Sequence, residues 1–126
     1  MKIESKNAPR AIGPYSQAIR SGQFIFVSGQ IPIDPASGDL VANNIQTQTH
    51  QVLKNIDAIL SSAGTNYGHV VRTTIFLVNL EHFDAMNEIY KTYVLDPAPA
   101  RSTVQVAGLP KGALIEIDLI AEISDG

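Results

Sequence analysis

This 126-residue chain predicts an α+β fold, a β-sheet with two helices on one face, and three observations carry that prediction. Two segments repeat apolar residues at helical spacing. The remaining apolar runs are short, rich in Val, Ile, Phe and Thr, and bounded by Gly and Pro. The order reads β-β-α-β-α-β-β, and two helices of similar length cover only one side of a sheet of five or six strands. The length is that of one domain, spanning 1–126.

The elements follow in order. "NAPRAIGPYSQAI" carries two prolines and a glycine, so it reads as an ordered loop leading into a short strand. "QFIFVSGQIPI" is a strand whose β-prone part is Phe24 to Val27, ended by Gly29 and Pro32. "DPASGD" is a turn. The first helix is predicted over 43–63. Ile45, Val52, Ile56, Ile59 and Leu60 share a face, Asn43 or Asn44 caps the start and Gly64 stops the end. "HVVRTTIFLVNL" is a β-branched run suited to a central strand. The second helix is predicted over 81–94, with Phe83, Met86, Tyr90 and Tyr93 as its inner stripe. Two strands, over 101–106 and 113–123, close the chain around "AGLPKG".

Composition narrows the function. Net charge is −3, which disfavours a protein built to neutralise a phosphate backbone. There is no cysteine, hence no disulfide, thiolate zinc site or cysteine nucleophile. The N-terminus lacks the apolar stretch of a signal peptide, and no apolar run reaches membrane-spanning length. A soluble, cytoplasmic protein without membrane or nucleic-acid partners is expected. Only 17% of residues are charged, against roughly 25% in soluble domains. With one sheet face left uncovered by helices, this favours self-association.

The last two strands hold the most informative polar residues. Alternation puts Arg101, Thr103 and Gln105 on one side of the first, and Glu116, Asp118 and Glu122 on one side of the second. Ile115, Ile117, Leu119 and Ala121 form the opposite, apolar stripe. If the link turns around Gly108 and Leu109, the two strands make a hairpin with Arg101 opposite Glu116. Two readings are open at this point. One is a cross-strand ion pair on a solvated sheet face. The other is a site, in which a guanidinium fixed on a strand grips a ligand carboxylate and a nearby glutamate positions water.

Other candidates carry weaker signals. Tyr15 and Ser16 sit in a tight Gly-Pro turn. Gly29 ends a strand where a ligand could approach the backbone. Asn87 lies beside the inner stripe of the second helix. His50, His69 and His82 have no metal-binding spacing. No serine lies in a nucleophile elbow, and no glycine loop reads as a phosphate cradle.

"GPYSQA", "FVSGQIPIDPASG" and "PARSTVQVAGLPKGALIEIDLIA", in this order, make the chain resemble the reactive intermediate deaminase A (RidA, YjgF) family over essentially its whole length. The resemblance implies a chorismate-mutase-like α+β fold and a homotrimer with three clefts between subunits. It implies hydrolysis of 2-imino acids or their enamine tautomers, such as 2-iminobutanoate and 2-iminopropanoate, to 2-oxo acids and ammonia, without metal or organic cofactor. On the matching positions, Arg101 would hold the substrate carboxylate and Glu116 would orient water. Tyr15, Gly29 and Asn87 would line the cleft. Thr103 stands where many members carry cysteine and would contribute its backbone N–H and a hydroxyl. A non-catalytic module that senses small carboxylates is the alternative. An endoribonuclease or translation inhibitor, attached to some relatives, fits the acidic charge less well.

Overall fold

The computed structural model describes residues 1–124. Six strands form one mixed sheet: β1 (Lys2–Ile3), β2 (Ala18–Ser21), β3 (Phe24–Gln30), β4 (Val70–Leu77), β5 (Ala100–Gln105) and β6 (Ile115–Glu122). Their spatial order is β1-β2-β3-β6-β4-β5. Helices α1 (Ile45–Ser62) and α2 (Phe83–Tyr90) pack on one face and on each other. The α+β architecture is as the sequence predicts.

The core lies between that face and the helices. Ile25, Ile75, Ile115 and Ile117 point up from the sheet; Val52, Leu53, Ile56, Ile59, Leu60 and Met86 point down from the helices; all are essentially inaccessible to water. Each such side chain contributes roughly 1.5–3 kcal/mol of burial free energy. Helix α1 begins where Asn44 Oδ1 accepts from Thr47 N–H at 2.8 Å, an N-cap that satisfies one free donor. Its two buried amides tie loops to the core. Gln48 Oε1 accepts from Leu114 N–H at 2.8 Å, and Asn55 Nδ2 donates to Ile33 O at 2.9 Å.

Two expectations need correction. Helix α2 is shorter than the 81–94 span. Leu80–His82 forms a 3₁₀ turn ahead of it, and the chain leaves helical geometry after Tyr90. The predicted hairpin of the last two strands does not exist. β4 is inserted between them, antiparallel to β6 and parallel to β5, and β5 is the edge strand. β6 instead pairs with β3 on its other side.

This topology decides which side chains meet. Arg101 is in register with Thr73, and Thr73 with Leu119; Thr73 and Leu119 are both buried beneath the helices. Glu116 is in register with Phe76, and Phe76 with Val104, a row on the opposite face. Arg101 and Glu116 therefore lie on opposite faces of the sheet, not on a shared one. The outer face carries the half-exposed Ile19, Phe24, Phe26 and Val104.

Candidate active site

The residues singled out from the sequence fall into two clusters. The first surrounds Arg101 where edge strand β5 passes under α2. Phe83, Asn87 and Tyr90 are spaced four and three residues apart on one turn-by-turn stripe of α2, so all three face β5. Arg101 Nη1 donates to Asn87 Oδ1 at 2.7 Å. The guanidinium carbon lies 5.4 Å from the centroid of the Phe83 ring and 5.0 Å from that of Tyr90, within cation–π range. Tyr90 is itself fixed by a 2.8 Å hydrogen bond between its hydroxyl and that of buried Thr73. Burial pushes the Tyr90 phenol above its ordinary pKa, opposed by the hydrogen bond to Thr73 and by the Arg101 charge. Tyr90 is therefore a neutral platform at physiological pH.

Among the described residues Arg101 has no carboxylate partner. The ion pairs among the described residues are Lys2–Glu4 and Lys91–Glu88. A half-buried guanidinium held by an amide and two rings keeps N–H donors free for an anion from outside. The cross-strand ion pair is thus not made within the chain. Thr103, two residues on from Arg101 along the same side of β5, has a buried hydroxyl that no group of the described chain engages.

The second cluster is on the other face. Gly29 lies directly against Glu116: a Cβ at position 29 would sit 2.5 Å from Glu116 Oε2 and 2.8 Å from its Cδ. With glycine at 29, the carboxylate occupies the space a side chain would otherwise take. Partial burial raises the Glu116 pKa above the ordinary carboxylate value, and the neighbouring Asp118 raises it further. Burial also raises Asp118, opposed by a hydrogen bond from Thr74 and by Arg72. Arg72 in turn donates to Ser102 Oγ at 2.8 Å. The loop that carries Tyr15 is tied to the strand end that carries Gly29. Ser28 Oγ donates to Ser16 O at 2.6 Å and Ser28 N–H to Gln17 O at 3.0 Å, which lays the loop along the end of β3 beside Gly29.

Arg101, Asn87 and Thr103 thus form one group and Glu116 and Gly29 another, with Tyr15 on a loop bonded to the strand beside Gly29. Sequence reasoning missed Phe83 and Tyr90 as guanidinium platforms, having placed both in the core stripe. Their spacing around Asn87 was the available signal. A concavity of about 880 Å³ opens beside Tyr15 and Ser16; a second, of about 290 Å³, lies near His69 and Pro97. No helix among the described residues is long and apolar enough to cross a membrane.

Comparison with known proteins places the chain in a family. Residues 5–123 match the family described as Endoribonuclease L-PSP. The chain belongs to the YjgF/RidA family. It is 46% identical over 119 residues to a 2-iminobutanoate/2-iminopropanoate deaminase of Mus musculus, covering 94% of this chain and 88% of that protein. The crystal structure of RidA from the Antarctic bacterium Psychrobacter superposes with a TM-score of 0.94 at 39% identity, covering 98% of this chain and 99% of that one. The E. coli TdcF structure with bound serine has a TM-score of 0.92 at 40% identity, covering 98% of each chain.

Proposed function

We propose that this protein hydrolyses small 2-imino acids and their enamine tautomers, such as 2-iminobutanoate and 2-iminopropanoate, to 2-oxo acids and ammonia. The observation that carries this reading is Arg101, half-buried, clamped by Asn87, Phe83 and Tyr90, and paired with no carboxylate among the described residues. Relatives named as deaminases of these imines support the reaction class.

The opposite placement of Arg101 and Glu116 supports a further part of the reading. The cleft closes between copies, with the Arg101 group of one chain meeting the Glu116 group of the next in a homotrimer. The apolar outer face, with Phe24 42% and Phe26 44% exposed, is the surface that association would cover.

In that cleft the substrate carboxylate docks on Arg101. A hydrogen bond to a charged group contributes roughly 1.5–3 kcal/mol. Thr103 offers its free hydroxyl to the bound ligand. Glu116 orients a water against the carbon of the protonated imine and accepts one of its protons. The new C–O bond forms as the C=N pair moves to nitrogen, giving a carbinolamine. Glu116 returns the proton it took to that nitrogen, the C–N bond breaks and ammonia leaves, and the carbinol O–H gives its proton back to the Glu116 carboxylate as the oxygen becomes the carbonyl of the 2-oxo acid. A protonated imine is already electrophilic, so positioning and modest acid–base help suffice. A cytoplasmic setting belongs to the same proposal.

The test is an assay in which a dehydratase generates the imine and its decay is followed. Arg101→Ala is expected to lower the enzyme-dependent rate at least tenfold. An unchanged rate overturns the assignment. The bound serine in the TdcF structure favours one second reading, a small-carboxylate binding module on the same arginine. It would show carboxylate binding by calorimetry with no acceleration of imine decay.

A further inference from the structure

The concavity of about 880 Å³ beside Tyr15 has a charge opposite to that of the molecule. Lys2, Lys6, Arg10 and Lys111 line it, four of the chain's nine lysines and arginines. Among the described residues Glu4 is the one carboxylate on its walls, and it is paired with Lys2 at 2.9 Å. Lys6, Arg10 and Lys111 make no ion pair among the described residues, on a protein whose net charge is −3.

Their backbone is fixed. The buried Gln17 side chain accepts from Ser5 N–H at 2.6 Å and donates to Pro9 O at 2.7 Å, pinning the segment between Lys6 and Arg10. Lys111 adopts φ 58°, a left-handed conformation that non-glycine residues avoid at a cost of about 1–2 kcal/mol. One wall of the groove is tied to the strand that carries Gly29. Tyr15, Ser16 and Gln17 line it, and the same segment is hydrogen-bonded to Ser28 beside Gly29.

We infer that this groove is an electrostatic entry path that concentrates small carboxylate anions at the mouth of the site, with Lys6, Arg10 and Lys111 as its specificity-determining residues. The inference rests on the proposed deaminase reading. A neutral imine or enamine of a 2-oxo acid carries one net negative charge from its carboxylate. The molecule as a whole, and Glu116 in particular, repels it. Three cations along a concave wall reverse that local potential, raising the anion's local concentration and encounter rate without touching the reacting atoms. The effect fades as salt shortens the screening length from about 30 Å at 10 mM to about 3 Å at 1 M.

The experiment compares wild type with Lys6→Glu/Arg10→Glu/Lys111→Asn; asparagine tolerates the left-handed backbone at 111. A control, Lys54→Glu/Lys91→Glu, changes net charge nearly as much, at exposed positions that do not line the groove. Imine hydrolysis and calorimetric binding of 2-oxobutanoate are measured in about 20 mM and about 500 mM salt. The groove variant should lose about tenfold in kcat/KM and in 2-oxobutanoate affinity at low salt, with kcat unchanged and the difference gone at high salt. The control should shift less than twofold. A groove variant matching the control, or a loss that persists at high salt, overturns the inference while leaving the deaminase reading standing. If wild type neither accelerates imine decay nor binds 2-oxobutanoate, the functional reading falls and this inference falls with it.

Discussion

The two halves of the site are built to different degrees of completion. Around Arg101 a single chain supplies everything that orients the guanidinium: an amide acceptor, two aromatic faces and a buried threonine that locks one of them. Around Glu116 the chain supplies only proximity. Gly29 clears space for the carboxylate, and Asp118 sits near it as a second acid rather than a partner. Under the proposed reading, the half that binds the carboxylate is oriented by contacts within one chain before anything arrives. The half assigned to water in that reading has its charged form disfavoured, on a face that still exposes apolar side chains.

Substitutions can break that contrast. Glu116→Gln should have the largest effect, a loss of about 10²-fold in kcat with KM nearly unchanged, read from steady-state imine hydrolysis. If KM rises instead, Glu116 belongs to the binding half. Arg101→Ala should cost roughly 10- to 100-fold in kcat/KM, from loss of a charged hydrogen bond, carried mainly by KM. Gly29→Ala puts a methyl where the Glu116 carboxylate lies, so turnover should drop about tenfold through displaced acid–base chemistry. Because a carboxylate tip can swing aside, the melting temperature should barely move. Asn87→Ala removes one neutral anchor worth about 1 kcal/mol and should lower kcat/KM only about fivefold.

The smallest effect concerns pH and sharpens the contrast in stability. Glu116 and Asp118 both have folded-state pKa values above their ordinary 4.5 and 3.8. Acids of this kind bind protons more tightly when folded, so stability falls as pH rises from the ordinary values through the raised ones. Glu116→Gln should therefore be slightly more resistant to urea than wild type at pH 7, with the advantage vanishing at pH 4. Equal midpoints at both pH values would show that the outer face does not penalise the charge.

Much of the fold was legible in the sequence because its signals are local. The Ile115–Ile117–Leu119–Ala121 stripe of β6 and the Ile56–Ile59–Leu60 face of α1 read correctly, since alternation and helical spacing are properties of neighbouring residues. Strand order was not legible. The short link 106–114 resembles a hairpin turn, yet it only has to cross two strand spacings, about 10 Å. β4 fits beneath it, placed there by the parallel β4–α2–β5 crossover. That long-range insertion separates Arg101 from Glu116. It also gives Arg101 the company of Phe83 and Tyr90, which helical spacing alone assigns to the core.

A sheet with its two working groups on opposite sides has a consequence for mass action. Under the proposed reading a solitary chain is silent, so specific activity should decay on dilution even while every molecule stays folded. Mixing two crippled variants, one lacking the cation and one lacking the acid, should then regenerate some intact clefts after subunit exchange.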